Sequence, residues 1–130
     1  MKALSIRQPW AYSILKLGKD VENRSRRTNY RGEFLIHAAR NVDWDDFRFL
    51  RFSPKSMTND VFSKNDFWKS KAMTRGALVG KATLVDCVED YDSPWAIEGQ
   101  YQWVLENPIT FDEPVYFKGR LGFFEVEGQW

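Results

Sequence analysis

At 130 residues, 43% of them hydrophobic, the chain is long enough for one domain with a core of its own, and a formal net charge of +1 excludes a strongly basic nucleic-acid protein with a pI above about 9. The aromatic share of 16% (six Trp, ten Phe, five Tyr) excludes a disordered polymer, and such side chains serve either core burial or stacking on bases. A single cysteine, Cys87, excludes an internal disulfide framework; no Cys/His cluster has zinc spacing, and no signal peptide or membrane-length apolar run is found, so a cytoplasmic protein with no metal, no cofactor and no membrane partner is expected.

In chain order, Lys2–Ile6 alternates and predicts a first strand. Pro9 stands where a helix can begin, Trp10, Ile14 and Leu17 recur at helical spacing, and Gly18 supplies the stop. Lys19–Arg24 reads as a strand, Ser25–Tyr30 as a polar surface loop, and Gly32–Ala38 as a second strong strand. Residues 41–73 are the least regular part and predict a helical insertion, with Asp43–Leu50 and Val61–Lys71 as its helices and Pro54 between them. Ala77–Val88 is a long strand in which Gly80 predicts a bulge or bend, and Cys87 lies inside its apolar pattern as a buried thiol. Tyr101–Leu105 and Leu121–Val126 are further strands, separated by turn-rich Asn107-Pro108 and Glu113-Pro114. The expected fold is α+β: a single domain over residues 1–130, built as a small, partly open mixed β-barrel with short flanking helices.

The best lead to function is the run Gly18-Lys19-Asp20-Val21-Glu22-Asn23-Arg24. With Val21 packed inward, alternation sends Lys19 and Asn23 to its face and Asp20, Glu22 and Arg24 to the other, and a twisted barrel mouth brings both sets to one rim. A lysine beside a carboxylate there does proton-transfer chemistry, holds a polar ligand, or forms an ordinary structural ion pair. From Lys16 to Arg31 six basic residues face two acidic ones. Arg26, Arg27 and Arg31 in that stretch are either a phosphate-binding footprint or a solvated loop.

The order Leu4-Ser5-Ile6-Arg7-Gln8-Pro9-Trp10, then Gly18-Lys19…Glu22…Arg24 in the pattern G-K-x-x-E-x-R, then Gly32…Ile36-His37-Ala38 resembles the ASCH domain family of the PUA-like superfamily. Gly76–Gly80 and Gly119–Phe124 are similar to that family's later strands. The resemblance implies a β-barrel with a cleft beside the signature, and a role in binding RNA, nucleotides or nucleosides. Some small members act as amidohydrolases on N4-acetylcytidine and related N4-acylated cytosines, through a lysine, a threonine three residues on and a distal glutamate. Lys19 matches that lysine, Glu22 stands in the threonine's place, and the distal glutamate is Glu98 or Glu89.

The expected activity is therefore a metal-free amidohydrolase acting on an N4-acylated cytosine nucleoside or base. Glu22 takes a proton from water, Lys19 stabilises the oxyanion or donates to the leaving N4, Arg24 orients Glu22, and Glu98 assists. Trp10 stacks on the pyrimidine or packs against Ile14 and Leu17; Gln8 and Asn23 read a cytosine edge or bridge backbone groups; Tyr101 adds a second pocket wall. His37, the only histidine, reads as a substrate-binding rim residue or a satisfied core residue, with no serine or cysteine partner in view, and neither Ser5 nor Ser13 has a motif that activates it. The competing readings are a non-catalytic RNA-binding module, its phosphates tracked by the arginines, and a ribonuclease using the same basic cleft.

Overall fold

The computed structural model describes residues 1–42 and 74–130. Apart from its first two residues, the expected helical insertion at 41–73 lies outside the described residues. The rest is one six-stranded sheet, curled into a half-barrel, with one short helix. The α+β, PUA-like architecture expected from the sequence is the one observed.

Strand β1 (Lys2–Ile6) pairs in parallel with β3 (Gly32–Ala38), Leu4 opposite Ile36 and Ser5 opposite His37. Parallel neighbours need a crossover, and here it is made by helix α1 (Trp10–Lys16) and strand β2 (Val21–Arg24). Strands β4 (Ala77–Val88), β5 (Tyr101–Tyr116) and β6 (Phe123–Glu125) complete the sheet in the order β2-β5-β4-β3-β1-β6, all other pairings being antiparallel. Helix α1 lies over β3, β4 and β5. It ends where Gly18 takes φ +75° and the Lys19 amide donates to the Ser13 carbonyl at 3.1 Å.

Strand β5 runs well past the expected Leu105. Asn107-Pro108 and Pro114, read from sequence as turns, sit at irregularities within it: Lys81 faces Ile109 and Thr83 faces Glu106, so three steps on β5 span two on β4. A proline is tolerated in a strand at such bulges because no ladder donor is required of it. The break expected at Gly80 is also present, since the register shifts between Leu78 and Gly80. A Cβ at Gly80 would run into the Ile109 carbonyl oxygen and stand 2.7 Å from Leu15 Cδ2, so helix and strand approach here as close as glycine allows.

The main core gathers Leu4, Ile6, Ile14, Phe34, Ile36 and Leu84 under the helix, with Cys87 buried among them. A second cluster of Val21, Trp95 and Val104 pins β2 to β5 and to the loop between β4 and β5, with Trp10 half-buried against it. Of that second cluster, Trp95 and the half-buried Trp10 line the site. None of the described helices is long and apolar enough to cross a membrane.

Candidate active site

Lys19, the first residue after Gly18, turns its side chain back under the start of β2. Its ammonium donates to the Val21 carbonyl at 2.5 Å and lies 3.5 Å from Glu22 Oε1. Glu22 Oε2 accepts from Arg24 twice, from Nε at 3.1 Å and from Nη2 at 2.8 Å. Lys19 is 4% exposed and Glu22 6%, so this is a buried ion pair with a third, half-buried charge behind it. Two alternating faces of β2 meet here because Lys19 precedes the strand and reaches along it, as the barrel-mouth argument expects.

Burial lowers the Lys19 pKa below its ordinary 10.5, the Glu22 charge and hydrogen bond oppose that shift, and Arg24 adds to it. The ammonium also lies 5.3 Å from the Trp10 ring centre, and Trp10 meets Trp95 edge-on at 6.3 Å. Arg24 stands 5.7 Å from the ring centre of Trp103, a residue of the main core.

These groups line a cleft of about 1560 Å³ that also takes in Ser5, Asn23 and His37. Its described lining carries seven cations and one carboxylate, Glu22. Five of the cations, Arg7, Arg40, Arg75, Lys118 and Arg120, are exposed at the rim. None of the five forms an ion pair among the described residues. A second cavity, of about 250 Å³, lies over the helix and β4–β5; it takes in Gln8, Lys16 and Asp112 but none of Lys19, Glu22 or Arg24.

Several residues expected at the site are placed elsewhere. Gln8 is buried and spent on the backbone: its carbonyl accepts from the Tyr12 amide at 3.0 Å and its amide donates to the Thr74 carbonyl at 3.0 Å. Asn23 lines the cleft, but its amide group staples the 95–97 loop, donating to the Trp95 carbonyl at 3.0 Å and accepting from the Ile97 amide at 2.9 Å. Tyr101 sits opposite Arg24 in the β2–β5 ladder and packs on the main core rather than in the cleft. Glu98 and Glu89 are exposed and outside the lining. Arg26, Arg27 and Arg31 are exposed on the 25–31 loop, also outside it; Arg31 points to Asp86 at 3.8 Å. The five rim cations come instead from scattered positions, which is why no local run of charge announces them.

His37 was expected to lack a serine partner, and the structure supplies one: Ser5 Oγ lies 2.7 Å from His37 Nδ1. The sequence signal that would have found it is positional. Each is the second-last residue of its strand, and the two strands are parallel neighbours. Ser13, by contrast, back-bonds to the Pro9 carbonyl at 2.8 Å inside the helix. Among the described residues no three His, Cys, Asp or Glu side chains converge as a metal-holding group.

A curled PUA-like half-barrel carrying a sheltered lysine, carboxylate and arginine at one mouth places the chain in a definite class of small domains. The ASCH domain matches residues 4–115, and the chain belongs to that family. Membership points to an RNA-binding or hydrolase-like module. No curated protein matches the chain.

Proposed function

We propose that the cleft removes the acyl group from an N4-acylated cytosine, with Lys19 and Glu22 at its centre. The observation carrying this reading is a buried ammonium of lowered pKa 3.5 Å from a carboxylate oxygen whose twin is anchored by Arg24. Anchoring one oxygen leaves the other, Oε1, with lone-pair capacity beyond its long contact to Lys19. Water at Oε1 gives up a proton to Glu22 as its oxygen bonds to the acyl carbon, and the resulting oxyanion faces the Lys19 ammonium. The C–N4 bond then breaks as Lys19 passes a proton to N4, and the proton on Glu22 restores Lys19. A lowered pKa makes Lys19 the better donor to the leaving N4. Trp10, already facing the ammonium, is the ring placed to lie against the heterocycle.

A second reading is favoured by the rim. Seven cations against one carboxylate suit a phosphate-bearing ligand, and Leu121, 99% exposed beside them, with Phe117 offers apolar surface to an unpaired base. Incubating the protein with N4-acetylcytidine and following ultraviolet absorbance tests the first reading: turnover abolished by Lys19→Ala is expected, and absence of turnover overturns it. Single-stranded RNA binding whose log Kd shifts with log salt by about 0.7 per displaced phosphate contact supports the second. RNA shortened in a gel, with Lys19→Ala inactive, would instead mark a ribonuclease.

A further inference from the structure

The Ser5 hydroxyl and the His37 ring stand opposite one another in the β1–β3 register, 2.7 Å apart between Oγ and Nδ1. The other ring nitrogen, Nε2, lies 2.6 Å from the Phe117 carbonyl oxygen. A carbonyl only accepts, so Nε2 carries the proton of the neutral ring; Nδ1 then holds the lone pair, and the Ser5 hydroxyl donates to it. A hydroxyl aimed at an imidazole whose tautomer is set by a third group is the arrangement that activates a serine.

The surroundings support more than a structural hydrogen bond. Both side chains line the cleft, Ser5 half-buried and His37 2% exposed. Gly119 passes against the pair so closely that a Cβ there would stand 2.5 Å from Ser5 Oγ and 2.6 Å from His37 Cε1. The pair and the Gly119 main chain packed against it all line the cleft. Arg24 Nη2 donates both to the Ser5 carbonyl at 2.9 Å and to Glu22 Oε2 at 2.8 Å, so one guanidinium nitrogen joins the pair to the lysine–glutamate centre.

We infer that Ser5 is a nucleophile, with His37 as its general base, which takes the acyl group from the substrate as an ester before water releases it. This rests on the acyl-removing reading of the cleft. Ser5 Oγ bonds to the acyl carbon as its proton passes to His37 Nδ1. The tetrahedral oxyanion faces the cleft's cations, and its collapse breaks the C–N4 bond while His37 returns the proton to the leaving amine. Water, losing a proton to His37 Nδ1, then bonds to the ester carbon; the carboxylic acid departs and Ser5 recovers its hydroxyl proton. In this route Ser5 takes the place of the Glu22-bound water at the first step and His37 takes the place of Lys19 as donor to N4. Glu22 and Lys19 remain as the charged frame around the oxyanion, and water enters at the second step.

A fluorophosphonate ester that reports activated serines tests this without any cytosine. Intact mass and peptide mapping of the full chain are expected to find one label, on Ser5, formed at least about 100-fold more slowly in His37→Asn. Gly119→Ala, which wedges a methyl into the pair, is expected to suppress labelling as well. An unlabelled Ser5 in the wild-type chain, or equal labelling rates in His37→Asn, overturns the inference, and the wild-type measurement requires no variant to fold. Labelled Ser5 without turnover of N4-acetylcytidine supports the nucleophile and overturns the substrate. Turnover undiminished in Ser5→Ala supports the substrate and overturns the nucleophile.

Discussion

Replacing Glu22 by Gln keeps the shape of the buried pair and removes its negative charge, leaving the Lys19 ammonium and Arg24 without their counter-ion. Because Lys19 and Glu22 are only 4% and 6% exposed, water at the cleft makes up only part of the lost pairing. Removing one partner of a buried pair costs about 3–5 kcal/mol, and since Gln still offers a carbonyl to Arg24 the expected loss is near about 3 kcal/mol. That is a large part of the roughly 5–15 kcal/mol that holds a domain of this size together. The loss also depends on pH. The folded-state pKa of Lys19 lies below the unfolded value of 10.5, so between the two the unfolded chain binds more protons and stability rises with pH. Below the folded pKa the cost of the buried ammonium is carried in full. Glu22 holds that pKa up, so in the variant the rise begins at lower pH and the deficit against wild type narrows as pH climbs toward 10.5. Urea denaturation of both proteins over that range measures it. A deficit under about 1 kcal/mol, or one that does not change with pH, refutes the buried-pair account.

Three further outcomes follow from the same geometry. If Lys19 works as the ammonium, kcat/KM for acyl removal by the wild-type chain falls on an alkaline limb centred below 10.5, which a pH–rate profile reads. Gly80→Ala drives a methyl into the Ile109 carbonyl and the Leu15 side chain, and thermal unfolding should show a loss of about 1–3 kcal/mol. Asn23→Ala frees the 95–97 loop of two hydrogen bonds, so denaturation should register about 1–3 kcal/mol, and KM should rise more than kcat falls because that loop walls the cleft.

What was legible in the sequence was whatever local pattern controls. Alternation marked β1, the apolar run Phe34-Leu35-Ile36 after Gly32 marked β3, and the glycine stop after Leu17 marked the helix end, because these follow from side-chain pattern and φ freedom alone. Asn107-Pro108 misled because a dipeptide that makes turns in isolation makes a bulge when a long partner such as β4 holds both sides. At the site, Lys19, Glu22 and Arg24 were readable because they lie within six residues of chain. Gln8 and Tyr101 were placed there by side-chain chemistry, an amide to read an edge and an aromatic ring for a second wall, and tertiary contacts gave them other work: one caps backbone, the other packs on the core. The basic rim and the Ser5–His37 pair were not legible in advance. Arg7, Arg40, Arg75, Lys118 and Arg120 converge only after the sheet curls, and Ser5 meets His37 only through the parallel β1–β3 register, 32 residues apart in the chain.

The central claim is that the Lys19 ammonium drives acyl release in this cleft. Proton NMR of acetate set free from N4-acetylcytidine, by wild type and by Lys19→Met side by side, tests it most directly. Steady acetate release by the wild-type chain, slowed by about 100- to 1000-fold in Lys19→Met, is the predicted result. No acetate from the wild type, or equal rates from the two proteins, contradicts it.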